Sequence, residues 1–190
     1  MPVRVHGVVL LITTISFALS ACGLKQVKPP TALTESDVRD RFTAERSEQS
    51  LAQVPDVATR EAMRRQLGER ARAARARGRR LAIESVRIGE QMNLGPGMRL
   101  ERVFALYHEY DDKTFTTFLE GVEIVAGTPR VALRQPVGGP GRGFVELTEV
   151  ELNRAILEVH LFKDGDAKCC PTDIGRTAYY LTGFGLEPAQ

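Results

Sequence analysis

The sequence predicts an α+β fold, with an N-terminal helix or helices packed on an antiparallel β-sheet, and three observations carry that expectation. Residues 57 to 77 lack proline and are dominated by alanine, arginine and glutamate, all good helix formers. From Leu81 onward valine, isoleucine, phenylalanine and tyrosine take over. The β-rich part is broken at short intervals by the glycine-rich stretches NLGPG, VGGPGRG and KDGD, and short connections favour antiparallel hairpins over long crossovers. Composition agrees with a folded domain, at 43% hydrophobic and 26% charged, and the formal net charge of +2 points to no polyelectrolyte partner for the chain as a whole.

The first element is not part of that fold. Arg4 precedes an uncharged apolar run from Val8 to Leu19. A membrane-spanning helix needs roughly twenty apolar residues and this run is shorter, the length of a signal-peptide core, so residues 1–21 are expected to be a secretory leader. The leader ends in Leu19-Ser20-Ala21-Cys22, followed by Gly23. This resembles the lipobox of bacterial lipoproteins, and the resemblance covers the leader only. It implies diacylglyceryl transfer to the Cys22 thiol, cleavage before Cys22 and acylation of the new amino group. It also implies a membrane partner through the lipid anchor and, because Gly23 rather than aspartate follows the cysteine, the outer membrane facing the periplasm. Two or three acyl chains hold firmly where one binds marginally, since each buried methylene contributes about 0.8 kcal/mol. Residues 22–34, with Pro29-Pro30 and no apolar periodicity, are expected to be a flexible tether.

Residues 35–80 form the helical, arginine-rich segment. Thr34 and Asp37 make a variant capping box, and Val38 and Phe42 follow at helical spacing. Pro55 interrupts, Asp56 can cap a new start, and a helix is expected from Val57 to about Arg77. Its apolar stripe is Met63, Leu67, Ala71, Ala74 and Leu81. Around it the run from Arg60 to Arg80 sets nine arginines against Glu61 and Glu69 alone. Arg72, Arg75, Arg77 and Arg79 are therefore candidates for binding an anionic surface, either lipid headgroups or an acidic envelope protein. The alternative is a solvated face whose arginine stems cover apolar surface. Export, as the lipobox implies, leaves no nucleic acid as partner.

Residues 81–190 are expected to be the β-rich domain, with strands near 81–88, 100–110, 115–125, 144–150, 155–163 and 176–183. In RLERVFALYHEY both faces carry apolar residues, Leu100, Phe104 and Leu106 on one and Val103, Ala105 and Tyr107 on the other. The same holds for AILEVHLF, with Ala155, Leu157, Val159 and Leu161 opposite Ile156, Glu158, His160 and Phe162. Strands of this kind suit the middle of a sheet covered by a helix or a second layer.

Signatures of catalysis are sparse. G-x-S-x-G, H-E-x-x-H and C-x-x-C do not occur, and GGPGRG lacks the G-K-[ST] ending of a phosphate loop. No catalytic residue, cofactor or metal is expected on these grounds. Cys169 and Cys170 stand side by side, with Pro171 after them and DGD before, in a turn between two strands. Acylation of Cys22, as the lipobox implies, leaves these two to pair in an oxidising compartment, and a structural vicinal disulfide is the preferred reading. The alternatives are reduced or externally paired thiols, a redox pair, and a soft metal site completed by His160. Asp164, Asp166 and Asp173 lack the spacing of an EF-hand and are expected to form turns. The stretch KDGDAKCCPT with the following strand also resembles the C-terminal hairpin of a loosely defined group of exported bacterial proteins carrying D-G-D-x-x-C-C-P-[ST]. That likeness implies export and a structural hairpin, without an activity.

The expected function is that of a membrane-anchored envelope lipoprotein, not an enzyme, with a binding or structural role in the periplasm. The alternative is a periplasmic thiol-redox or metal-handling protein using Cys169 and Cys170.

Overall fold

The computed structural model describes residues 35–139, 144–163, 166, 172–183 and 185–189, with side chains from residue 44 onward. Helix α1 (Glu35–Ala52) stops ahead of Pro55, and α2 (Val57–Ala76) begins where the Asp56 carboxylate accepts from the Thr59 amide at 2.8 Å. The expected cap is in place. Arg77 closes α2, and Gly78 takes φ +71°, the left-handed geometry that lets the chain leave the helix and enter a strand almost at once. No helix among the described residues is long and apolar enough to cross a membrane.

Among the described residues eight strands form two antiparallel four-stranded sheets instead of the single expected sheet. The first runs in the order β1 (Arg80–Gly95), β2 (Met98–Tyr110), β3 (Phe115–Val125) and β4 (Thr128–Gly138). The second runs β5 (Phe144–Glu151), β6 (Arg154–Leu161), β7 (Asp173–Leu181) and β8 (Leu186–Pro188). Each strand pairs with the next in sequence, as short connections require. Strands β4 and β8 were not expected. β4 carries Pro129 and Pro136, which argue against a central strand, and it lies at an edge, where a missing N–H is tolerated. Its turn, Ala126-Gly127, has both residues at positive φ without the Asn-Gly signal that usually announces such a hairpin. β1 also runs on to Gly95, past the expected end near residue 88, because irregularities at Ile83/Ser85 and Ile88/Gln91 keep it in register with β2.

Two apolar cores follow from the two faces of β2. Val103, Ala105 and Tyr107 join Ile83, Val86, Val122 and Ile124 in one cluster with Leu51, Val54, Ala62, Met63 and Leu67. Phe104 and Leu106 join Leu119, Val145, Leu147, Ala155, Leu157, Leu181 and Leu186 in the other. The two-sided pattern in the sequence thus marks a strand with a core on each face. β6 differs: Ala155 and Leu157 are buried, but Ile156, Glu158 and His160 are only partly so. Burying Met63 and Leu67 contributes about 1.5–3 kcal/mol each.

The sheets share the second core, and among the described residues a main-chain hydrogen bond also links them. Glu90 N donates to Leu152 O at 2.8 Å, and Leu152 holds φ +51° in the β5–β6 turn. A Cβ at Gly89 would fall 2.2 Å from that same carbonyl oxygen, so only glycine fits.

Candidate functional site

The arginines of α2 divide into those that the sheet holds and those that it does not. Arg70 donates from Nε and Nη2 to the Glu120 carboxylate at 2.9 to 3.2 Å, and Gln66 Nε2 adds a bond at 2.8 Å. Glu120 is wholly buried, and a buried charge requires such partners. Its carboxylate raises the Arg70 pKa, keeping that side chain charged. One strand away, buried Glu109 accepts from Arg77 Nη2 and from Arg134 Nη1, both at 2.8 Å. Arg134 lies over the Phe118 ring at 4.7 Å, and Phe118 stacks on buried Tyr107 at 5.7 Å. Arg79 donates to the Glu109 carbonyl at 3.0 Å and approaches Asp111 at 3.9 Å. Arg64 pairs with Glu61 and with Glu48, and Arg65 donates to the Gly127 carbonyl at 3.1 Å.

Of the four arginines expected to bind an anionic surface, Arg77 and Arg79 are therefore engaged within the fold. Arg72 and Arg75 are exposed, and among the described residues neither has an ion-pair partner. The residues that sequence reasoning missed are Glu109 and Glu120. A signal was present: along β2, Glu109 shares the alternation of Val103, Ala105 and Tyr107, and along β3, Glu120 shares that of Val122 and Ile124. A carboxylate in phase with a core face and an arginine-rich helix beside it belong together.

A second cluster lies where β1, β2, β3 and β5 meet. Ala82, His108, Tyr110, Phe115 and Phe144 line a cavity of about 270 Å³. Phe115 stacks on Phe144 at 6.3 Å and Phe144 meets Phe162 at 5.8 Å, while His108 stands edge-on to Phe115 at 6.1 Å. His108 Nε2 lies 3.7 Å from Glu84 Oε2, its Nδ1 is 2.9 Å from Thr117 Oγ1, and Arg46 also bonds Glu84. The neighbouring His108 ring, then the charge of Arg46, hold the Glu84 carboxyl below its usual range against the opposing effect of burial. The series Glu84, His108, Thr117 has the residue types of a nucleophile, base and orienter, but Thr117 is wholly buried and offers no hydroxyl to a substrate.

Cys22, Cys169, Cys170 and Asp164 lie outside the described residues. Around the cysteine pair, Asp166 accepts from Lys163 N at 2.7 Å, Thr172 N at 2.9 Å and Thr172 Oγ1 at 2.8 Å. These bonds, led by the one from Lys163, lower its pKa. Asp166 therefore ties together the two ends of the segment that carries the cysteines, the turn-forming role expected of it. Asp173 stands 3.4 Å from Lys163. His160, the candidate third ligand of a metal site, has Nε2 3.0 Å from Glu158 Oε1. Among the described residues no group of three or more potential ligands is placed to hold a metal.

The fold thus defines an α+β domain with a helix-borne arginine network and a separate aromatic cluster. Compared with protein families, curated proteins and solved structures, the chain finds no match.

Proposed function

We propose that the protein is a lipid-anchored component of the bacterial envelope, held through Cys22, whose domain has a non-catalytic binding or structural role in the periplasm. The observation that carries this reading is the leader ending in Leu19-Ser20-Ala21-Cys22-Gly23. The helices, packed on the first sheet, present Arg72 and Arg75 outward, and these two are the proposed contacts to anionic headgroups. The network of Arg70, Arg77, Glu109 and Glu120 supports a structural role for the other arginines, since buried carboxylates take up their charge. Replacing Cys22 by serine tests the anchor. The variant should stay unprocessed or leave the membrane fraction, and the intact mass of the wild type should exceed that of the polypeptide by two or three acyl chains. Unchanged processing and unchanged membrane association in Cys22→Ser would overturn the proposal.

A further inference from the structure

The domain has two poles with exposed apolar side chains, and they differ in how the chain enters. Helix α1 runs alongside β1 in the same direction: Ser47 Oγ accepts from Ile83 N at 3.1 Å, and Ser50 Oγ donates to Glu84 O at 3.0 Å. Further on, Gln53 and Pro55 lie beside Val86 to Gln91. Its first residues consequently extend beyond the start of β1. Helix α2 returns the other way, with Ala58 against Gly127 near its beginning and Arg77 on Glu109 at its end. The pole where α1 begins therefore also holds the end of α2, the β2–β3 turn and the starts of β3, β5 and β7.

That pole carries an open aromatic surface. Phe144 is 47% exposed, Phe162 43% and Ile174 59%. Phe144, His160 and Ile174 are neighbours across β5, β6 and β7, and Phe162 packs on Phe144. Arg72 and Arg75 stand on the last turns of α2, while the acids of the β2–β3 turn face Arg79 and Arg80 at 3.9 and 2.8 Å. The opposite pole is the β1–β2 hairpin, with Met92, Leu94 and Met98 exposed.

We propose that the pole where α1 begins is the face laid against an anionic phospholipid bilayer, with Phe144, Phe162 and Ile174 in the headgroup region and Arg72 and Arg75 on lipid phosphates. The inference rests on the lipid-anchor reading above, because the anchor decides between the poles. The stretch from Cys22 to Glu35 reaches at most roughly 45 Å when fully extended. The 16 residues of β1 span roughly 50 Å, so the tether is too short to run back along the domain and bring the hairpin to the surface. Aromatic side chains with an apolar body suit the interface, and arginine phosphate pairs are bidentate there.

The chain contains no tryptophan, so a single one reports without background. Full-length lipidated protein carrying Phe162→Trp, Ile174→Trp or Met98→Trp would be placed in vesicles of phosphatidylethanolamine and phosphatidylglycerol with brominated acyl chains. Emission from Trp at 162 and at 174 should shift to the blue and be quenched, emission from Trp at 98 should do neither, and replacing phosphatidylglycerol by phosphatidylcholine should relieve the quenching. Quenching at 98 alone, or at no site while the protein sediments with the vesicles, overturns the docking face and leaves the anchor standing. Failure to sediment removes the anchor and the docking face with it.

Discussion

Glu84 and Glu101 are moved in opposite directions by their surroundings, and acid unfolding should separate them. Glu84 titrates below its ordinary value, through the neighbouring His108 ring first and Arg46 next, so it stabilises the fold above the ordinary glutamate pKa and loses that contribution as pH falls through its folded value. Glu101 is buried beside Gln91 and Arg99, and burial raises its pKa despite the nearby Arg99 charge. Its contribution is complete below the ordinary glutamate pKa and is lost as pH rises through the folded value. Denaturant midpoints measured across the acid range should therefore depend less on pH in Glu84→Gln and more steeply in Glu101→Gln. At neutral pH the first variant should be weaker than wild type and the second no weaker.

At the scale of elements, α2 has two kinds of arginine and each predicts a different loss. Arg72→Gln with Arg75→Gln should weaken adsorption of the domain to anionic vesicles, most clearly at low salt, and leave its denaturant midpoint where it was. Arg70→Gln should do the reverse: buried Glu120 keeps only Gln66, and unfolding should become easier by roughly 3 kcal/mol. The junction of the sheets is equally specific. Gly89→Ala forces a methyl into the Leu152 carbonyl, and either the hydrogen bond from Glu90 or the β5–β6 turn must move, at a cost of about 1–3 kcal/mol. Calorimetry of that variant would show it as a lowered midpoint with the same cooperativity.

Across the whole molecule, the cysteine pair separates a structural role from a chemical one. A bridge between neighbouring residues closes so small a loop that it constrains the unfolded chain little, and Asp166 already ties Lys163 to Thr172. Cys169→Ser with Cys170→Ser should therefore cost only about 1–2 kcal/mol and leave cellular function intact. Adding Asp166→Ala should enlarge the loss, because the bonds that tie Lys163 to Thr172 go with it. A double serine variant that folds as well as wild type yet loses function in the cell would instead point to redox or metal chemistry at the pair.

Local rules carried well where one residue type decides the outcome. Asp56 capped α2, Pro55 separated the helices, and the double-faced alternation of β2 announced a core on each side, because capping and side-chain direction depend on nearest neighbours. β4 stayed hidden because its prolines are compatible only with an edge, and edge position is a property of the assembled sheet. The arginine helix shows the same division: its charge was plain in the sequence, whereas which guanidinium reaches a buried carboxylate depended on how α2 lies across β2 and β3. The run Leu19-Ser20-Ala21-Cys22 and the adjacent cysteines, by contrast, are properties of the chain alone, since they consist of residues already joined in sequence. Only the tertiary structure could decide that Arg70 and Arg77 meet Glu120 and Glu109 while Arg72 and Arg75 remain open to solvent, because burial and long-range pairing exist only once separate segments have packed.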